Sequence, residues 1–330
     1  MASVRILHAS DLHIAAVPNI TSPVDCRTPG NIIDAVTNRM LASSYDPAIL
    51  QRFADFVHDQ ASKALVDAVL LTGDIATTGS TRDLEKAFDF IHAPADPRLR
   101  SQSTNKEATL HGIAPIWLLP GNHDRYQHSY IHGYVPGGGE FDQVFNSKWR
   151  GPVKRLGSIP KLGLTVTVIA ADLSLKEYKH HDGGFGWLAQ GKAYPEILDE
   201  LEAETKPLTV SAGHCVIWAV HFPPDYPNIS HDLDLLDGDL LVLRANKCGV
   251  RAVLAGHTHD PVSYRRPAMK FDVFCAGTVS QAFADPGGNH FRVIEINSDD
   301  TGNVIINSEE YLFSKVTGGI IRNRSGFRRV

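Results

Sequence analysis

The stretch PIWLLPGNHD, residues 115–124, decides the fold because it joins an apolar run directly to three consecutive polar side chains. The run PIWLLP is typical of a buried strand. Asn122, His123 and Asp124 then place an amide, an imidazole and a carboxylate at its end. A surface turn would explain Gly121 and Asn122, but it would not explain why other predicted strands end in similar residues.

Short apolar runs recur along the chain, and most are continuous rather than alternating. Continuous hydrophobicity predicts strands that are covered on both faces. The runs are VRILHA from residue 4, DAVLLTGD from 67, APIWLLPG from 114, LTVTVIAAD from 164, CVIWAVH from 215, VRAVLAGH from 250, FDVFCAG from 271 and FRVIEI from 291.

Helical patterns separate these runs. Behind Asp46, a candidate N-cap, residues 47–66 place apolar side chains such as Leu50, Phe53 and Val57 three and four positions apart. Further helices are predicted over 81–92, 187–204 and 239–246. Alternating strands and helices favour a layered α/β fold with helices outside the sheets. The later strands lie closer together in the sequence, so we expect part of the sheet system to be mixed or antiparallel.

Length and composition favour a single domain over residues 1–330. With 330 residues, 43% hydrophobic and 21% charged, the chain can bury one large core. Loop or cap excursions are predicted near 17–45, 125–162 and 222–238, because these stretches are rich in Pro, Gly, Asn and Asp. The short basic tail IIRNRSGFRRV is predicted to be a solvated terminus.

Composition also excludes several classes of protein. No segment approaches the ~18 apolar residues of a membrane span, and MASVRILHASDLH is typical of a first strand rather than a signal peptide. We therefore expect a cytoplasmic protein without membrane contact. The net charge of −5 makes a nucleic-acid partner unlikely. The four cysteines form no C-x-x-C pair and are predicted to be buried thiols: Cys26, Cys215, Cys248 and Cys275.

Polar side chains of the same few types follow the predicted strands. If the segments stay extended, residues two apart point to the same side, and open α/β sheets gather ligands at the carboxyl ends of their strands. We therefore expect these side chains to converge. They are Asp11 and His13, Asp74, Asn122 to Asp124, His221, and His257 and His259.

Such a set of oxygen and imidazole donors suits Mn, Fe, Zn or Co better than Ca or Mg. Two metals ~3.5–4 Å apart need a shared anionic ligand between them, and Asp74 is the natural bridge. Each segment alone is more typical of a turn or a structural histidine. Their ordered recurrence after separate strands favours a metal site.

The ordered motifs resemble those of the calcineurin-like metallophosphoesterase superfamily. They are D-x-H at residues 11–13, G-D at 73–74, G-N-H-D at 121–124, a lone His at 221 and G-H-x-H at 256–259. ILHASDLH and LAGHTHDP look most like the class III cyclic-nucleotide phosphodiesterase branch. The resemblance implies the metallophosphoesterase fold, a four-layer αββα sandwich of two mixed β-sheets flanked by helices.

The resemblance also implies a role for each motif residue. His123 would lie beside the scissile phosphate without binding metal, and would protonate the leaving oxygen or stabilise charge there. Asp124 and Arg125 would support the site or contact substrate. The metal ligands would be Asp11, His13 and His259 for one metal, Asn122, His221 and His257 for the other, and Asp74 as the bridge.

The expected activity is that of a dinuclear phosphodiesterase, which hydrolyses a cyclic nucleotide or a simple alkyl or aryl diester by attack of a metal-bridging hydroxide. Two cations would neutralise the diester and lower the pKa of the attacking water. The cofactors would be two divalent or mixed-valence transition metals, namely Mn, Fe or Zn, with Co possible in vitro. A small-molecule phosphodiester is the expected partner, and a homo-oligomer is possible.

Three alternatives stay open. A phosphomonoesterase or protein phosphatase of the superfamily would typically carry G-N-H-E and D-R-G, whereas Asp74 is followed by IATTGS and the acid here is Asp124. A nuclease would need more sequence beyond the G-H-x-H motif than this chain has. A non-catalytic scaffold would lack several metal-binding histidines, whereas every position is filled here.

Overall fold

Two large mixed sheets form the centre of the molecule in a computed structural model. The structure describes residues 2–16, 45–92, 109–113, 115–125, 139–146, 148–174, 190–227, 235–280, 288–299, 301–314 and 326–330. The predicted excursion at 17–45 and the residue Cys26 therefore lie almost wholly outside the described residues.

The first sheet combines three parallel strands with three antiparallel ones. From edge to edge its order is β14 (Gly326–Arg329), β13 (Val304–Ser314), β12 (His290–Ser298), β1 (Ala2–Ala9), β2 (Ala68–Thr72) and β3 (Ile116–Leu119). The strands β1, β2 and β3 run parallel, so their carboxyl ends meet at one edge of the sheet.

The second sheet has four parallel strands flanked by an antiparallel strand on each side. Its order is β10 (Ser263–Tyr264), β11 (Asp272–Cys275), β9 (Ala252–Ala255), β7 (His214–Ala219), β5 (Leu164–Ala171) and β4 (Val153–Lys161). A separate parallel pair is formed by β6 (Gly191–Lys192) and β8 (Leu235–Leu236).

Alternating side chains of the second sheet enter two different cores. Val166 and Val168 of β5 join the core between the two sheets, whereas Ile169 joins a second core under the outer helices. This follows from the two-residue period of a strand. The sheets therefore lie face to face, and the predicted mixed α/β sandwich is confirmed.

The helices cover the outer faces. In chain order they are α1 (Pro47–Ser62), α2 (Thr81–His92), α3 (Asn122–Arg125), α4 (Gly139–Val144), α5 (Pro195–Thr209) and α6 (Gly238–Cys248). None of the helices in the described ranges is long and apolar enough to cross a membrane. The helix α1 packs on the first sheet, where the ring centroid of Phe53 lies 5.3 Å from that of Phe291, and α5 and α6 supply the second core.

Local sequence explains where helices begin and end. The Asp46 carboxylate accepts a hydrogen bond from the Ala48 amide at 2.9 Å, and Pro47 occupies the first turn, so α1 begins as predicted. The helix ends at Ser62 rather than at residue 66. The helix predicted over 187–204 begins only at Pro195, because β6 precedes it, and extends to Thr209.

Two sequence predictions are wrong in part. The stretch 125–162 contains α4 and β4, and 222–238 contains β8, so neither is a loop throughout its described part. Most side chains of β4 are at least partly exposed, and this edge strand therefore lacks the apolar run by which buried strands are recognised. Cys215, Cys248 and Cys275 are buried free thiols, as predicted.

The basic tail is also not simply a solvated terminus. Its last residues form β14, which pairs antiparallel with β13. The Phe327 ring lies 4.8 Å from Phe291 and 6.2 Å from Phe53, measured between centroids. One half-buried aromatic position among exposed basic residues is a weak pattern, so the strand is not evident from the sequence.

Candidate metal centre

The predicted site residues gather where strands of both sheets end. The segments after β1 and β2 run side by side, since the Asp11 amide donates to the Gly73 carbonyl at 3.1 Å and the His13 amide to the Asp74 carbonyl at 3.0 Å. The Gly256 amide donates to the carbonyl of His221 at 3.0 Å. These pairings bring the ends of β1, β2, β7 and β9 to one place.

The ligands converge through left-handed backbone turns rather than through extended segments. Asp11 and His13 have φ of 54° and 50°, and His257 and His259 have φ of 71° and 54°. Asp74 has a φ of 50°. Such values are uncommon for residues other than glycine. The expectation that extended geometry aligns the residue pairs is therefore wrong, although the residues do converge.

Two glycines make this close approach possible. Gly73 has a φ of 96°, and a Cβ atom there would lie 2.5 Å from Nδ1 of His221. A Cβ atom on Gly121 would lie 2.2 Å from Oδ1 of Asp74. Because real Cβ atoms do not make contacts this short, both G-D and G-N-H-D need their glycine.

One side of the site contains Asp11, His13 and His259. Oδ1 of Asp11 lies 3.3 Å from Nε2 of His259 and 3.9 Å from Nε2 of His13. The two Nε2 atoms are 3.2 Å apart. Ligand atoms of all three residues lie within 4.8 Å of one another, so this group can hold a metal ion.

The other side contains Asp74, His221 and His257, which form a second group with mutual distances within 4.8 Å. Oδ2 of Asp74 lies 3.3 Å from Nε2 of His221. Asn122 joins them, since its Oδ1 lies 2.9 Å from the same nitrogen. The side chain of Asp74 is 2% exposed, and its position between several imidazoles suits a bridging carboxylate.

His123 lies between the two groups. Its Nε2 is 3.9 Å from Oδ2 of Asp74, and its ring centroid is 4.8 Å from that of His13. Ligand atoms of His13, Asp74 and His123 also lie within 4.8 Å of one another, so these three residues form a third group that could hold a metal ion. The His123 side chain is 17% exposed, whereas those of His13 and Asp74 are 1% and 2% exposed. His123 can therefore reach a molecule that enters from solvent.

Backbone carbonyls orient two of the imidazoles. Nδ1 of His221 lies 2.7 Å from the Thr72 carbonyl, and Nδ1 of His123 lies 2.8 Å from that of Thr77. Since a carbonyl only accepts, each Nδ1 is a donor, and each Nε2 faces the site. Sequence reasoning missed Thr72 and Thr77, because every residue has a carbonyl and no side-chain pattern marks these two.

The protonation of most of the buried groups fits metal binding, and His221 is the exception. Burial lowers the pKa of His13 and His257 to about 3, so both rings are neutral at pH 7. Burial would raise the pKa of Asp11, but the neighbouring His259 lowers it to about 2. Burial would lower the pKa of His221, but Asp74 raises it to about 9. Neutral imidazoles and ionised carboxylates are the forms that bind metals, so His221 would lose a proton when a metal ion binds.

Unsatisfied atoms give a further test of whether a metal fits. Nε2 of His257 and Oδ1 of Asp11 are buried without a hydrogen-bond partner. A buried polar atom without a partner is unfavourable by about 1–3 kcal/mol. A metal ion would satisfy such atoms, so the donor set fits transition-metal binding.

Asp124 supports the site through the backbone rather than through His123. Its Oδ1 accepts from the Ala76 amide at 2.8 Å, and its Oδ2 from Gly121 at 2.9 Å and Ile75 at 3.2 Å. Burial and the charge of Asp74 raise the pKa of Asp124 to about 7, against the lowering effect of the three amides. The carboxylate therefore joins the G-D and G-N-H-D segments.

Asp124→Asn is expected to destabilise the protein by about 1–3 kcal/mol, because an amide NH₂ would replace an oxygen that accepts from the backbone. Urea unfolding in the presence of a chelator measures this change without a contribution from bound metal. Asp59→Asn is the matched control: this exposed residue pairs with Lys63 on α1 and should change stability by less than about 0.5 kcal/mol. Equal unfolding midpoints for both variants would contradict the assigned role.

Arg125 does not face the site. Its Nε lies 2.8 Å from Asp172 and its Nη1 lies 3.0 Å from Asp142, while its guanidinium lies 4.9 Å from the centroid of Phe141. The residue is 4% exposed. Arg125 therefore connects α3 to α4 and β5, and the idea that it contacts a substrate phosphate is not supported.

The fold and these clustered carboxylates and imidazoles define a metal-binding protein of the layered α/β class. The sequence matches the family model of the calcineurin-like phosphoesterases, Metallophos, over residues 4–261. The chain belongs to this family and is a metallophosphoesterase, a phosphoric ester hydrolase. No curated protein sequence matches the chain significantly.

Solved structures with the same fold are distant in sequence. A dimetal phosphatase from Danio rerio is 14% identical, with a TM-score of 0.50 over 92% of this chain and 95% of that chain. A putative 5′-nucleotidase from Staphylococcus aureus is 13% identical, with a TM-score of 0.47 over 97% of this chain and 56% of that one. The similarity to the Danio rerio protein shows the shared fold only.

Proposed function

We propose that the protein is a dinuclear metal-dependent phosphodiesterase, acting on a cyclic nucleotide or on a simple alkyl or aryl diester. The observation that carries this proposal is the arrangement of two metal-holding groups on either side of Asp74, with His123 reaching solvent beside them. This arrangement suits the hydrolysis of an anionic ester, because bound metal ions would concentrate positive charge where the substrate would bind.

Each side chain then has a proposed role. Asp74 would bridge two ions of Mn, Fe or Zn, with Co as a substitute in vitro, since the donors are imidazole, carboxylate and amide. Bound metals would supply positive charge and lower the pKa of the attacking water. The individual ligands would be Asp11, His13 and His259 on one side, and Asn122, His221 and His257 on the other.

His123 would serve the leaving group. The Thr77 carbonyl accepts from Nδ1, so Nε2 faces the departing oxygen, and in the imidazolium form Nε2–H would donate its proton to that oxygen and leave the ring neutral. Such general-acid catalysis contributes typically ~10²–10⁴-fold. An alkoxide leaves poorly without a proton, so this role matters most for a diester of an alkyl alcohol or a sugar.

The charge of the site favours a diester over a monoester. A monoester dianion presents more negative charge than a diester monoanion, and its terminal oxygens are commonly bound by arginine. In this chain the arginine next to the G-N-H-D motif, Arg125, is held by Asp142 and Asp172. Within the described residues, the ion pairs of Asp11 and Asp74 are with histidines, and none is with an arginine or a lysine.

Restoring Mn²⁺ to metal-free protein is expected to raise turnover of bis(p-nitrophenyl) phosphate by at least ~100-fold. The value of kcat/KM should exceed that for p-nitrophenyl phosphate by about 10-fold or more, because the described residues of the site offer no guanidinium to a dianion. Continuous measurement of p-nitrophenolate release gives both quantities. Unchanged rates after metal removal would contradict a metal-dependent enzyme.

A substrate series then separates the remaining possibilities. The series contains 3′,5′-cyclic nucleotides, 2′,3′-cyclic nucleotides, glycerophosphodiesters and phosphomonoesters, all assayed under saturating Mn²⁺. Preference for any of the diesters supports the proposal and names the substrate class. Preference for monoesters would overturn the diesterase assignment while leaving the family's hydrolase chemistry intact.

A further inference from the structure

A second cleft lies away from the metal centre, at the edge of the sandwich where β3 and β4 are neighbours. Its volume is about 460 Å³, within the range of small-molecule sites. The end of α2 and the segment before β3 complete its walls. None of its lining residues belongs to the groups that can hold a metal.

The polar lining of this cleft is basic. Lys148 and Lys154 contribute ammonium groups, and His92 and His111 contribute imidazoles. Among the described residues that line it, none carries a carboxylate. No ion pair of either lysine is found within the described part of the chain; Nζ of Lys154 instead donates to the Lys148 carbonyl.

Burial and neighbouring positive charges disfavour the charged forms of two basic side chains in the cleft. Burial, together with the charges of Lys148 and Arg150, lowers the pKa of Lys154. Burial, together with Lys148 and His111, lowers the pKa of His92 to about 4. Nε2 of His92 is also a buried atom without a hydrogen-bond partner. An anion in the cleft would offset this repulsion, and its oxygens would accept from the Lys148 ammonium, for which the described residues provide no acceptor.

The rest of the lining is apolar and includes one large aromatic ring. Ile116, Trp117 and Leu156 come from the two edge strands. The ring of Trp117 lies against Gly157, where a Cβ atom would be only 2.6 Å away, and the residue is 7% exposed, so it contributes a small part of the apolar wall. A ligand that places only an inorganic anion here would leave this apolar surface in contact with water, whereas a flat ring would cover it.

We propose that this cleft binds a small aromatic oxyanion. The oxyanion would be held by Lys148 and Lys154, and the aromatic ring would pack on the apolar wall that contains Trp117. The strand β3 lines this cleft and leads directly into the G-N-H-D motif, so a ligand in the cleft would contact a segment next to the metal centre in the chain. The proposal concerns binding alone and stands independently of the substrate assigned to the metal centre.

Naphthalene-2-sulfonate tests this proposal, because it combines a flat ring with an oxyanion and contains no phosphate ester that the enzyme could hydrolyse. Isothermal titration calorimetry of the full-length, metal-loaded protein should give one site with a dissociation constant below about 1 mM. The uncharged 2-naphthylmethanol should bind at least ~10-fold more weakly, since it lacks the charge-assisted contacts.

Lys148→Met is the primary variant, because its ammonium group makes no hydrogen bond within the described residues and the fold should tolerate its loss. It should weaken sulfonate binding by about 10-fold, and Lys154→Met should do the same. Lys161→Met is the matched control, since Lys161 also belongs to β4 but pairs with Asp67 outside the cleft. Its affinity should equal that of the wild type.

Three results would overturn the proposal. The first is that no sulfonate binds at 10 mM, which is about ten times the expected dissociation constant. The second is equal affinity for the charged and the uncharged arene. The third is wild-type affinity in both lysine variants. The last result would locate the bound sulfonate elsewhere, for example at the metal centre. Circular dichroism of each variant confirms that a loss of affinity does not arise from unfolding.

Discussion

Asp74→Asn is expected to reduce turnover by at least ~10³-fold and to lower the metal content of the purified protein, because the proposed bridge loses its charge. The substitution preserves shape, so the effect comes from chemistry rather than packing. Without the carboxylate, two cations would face each other with only neutral ligands between them. Metal analysis by mass spectrometry and turnover of bis(p-nitrophenyl) phosphate measure the two consequences.

The strand β2 offers a matched control for this prediction. Asp67 precedes the strand at its opposite end, where it accepts from the Arg5 amide at 2.9 Å and pairs with Lys161. Asp67→Asn should retain both metal content and turnover. Two ions per chain in Asp74→Asn would contradict the bridging role.

His123→Ala is expected to lower kcat by ~10²–10⁴-fold while metal content stays unchanged. The loss should depend on the leaving group. A cyclic nucleotide, whose leaving alkoxide needs a proton, should lose most activity, whereas bis(p-nitrophenyl) phosphate should lose less because p-nitrophenolate is a stable anion. Parallel rate measurements on both substrates separate proton donation from a general loss of structure.

An exposed histidine provides the control for this second variant. His58 on α1 bonds the Thr109 carbonyl at 2.8 Å, away from the site, so His58→Ala should not change either rate. Loss of metal in His123→Ala would assign His123 as a ligand, an outcome consistent with its grouping with His13 and Asp74. Equal losses for the two substrates would argue against proton donation.

The layered fold is predictable because strands buried on both faces leave a strong signal. The runs around Leu70, Ile217 and Val253 are apolar throughout, and each becomes an inner strand. The edge strands β4 and β14 escape prediction for the opposite reason. Most of their side chains are at least partly exposed, so their sequences resemble loops.

The identity of the site residues is more predictable than their geometry. Polar side chains that follow buried strands mark the site, because polar groups are buried only where a partner compensates them. The structure brings every predicted ligand together. The left-handed turns at Asp11 and His257, and the support from the Thr72 carbonyl, depend on backbone contacts that no residue type encodes. Arg125 shows that a neighbour in sequence need not share the site, since a step of two residues along α3 turns its side chain away from His123.

The left-handed backbone conformation of the ligand residues has an energetic cost. A non-glycine residue in this conformation costs about 1–2 kcal/mol, and Asp11, His13, Asp74, His257 and His259 all adopt it. Net stability of a folded protein is only about 5–15 kcal/mol. Glycine at these positions would relieve that strain, but at Asp11 and Asp74 it would also leave the amides of His257 and His123 without their carboxylate acceptors. The ligand side chains therefore hold the strained turns in place even before any metal binds.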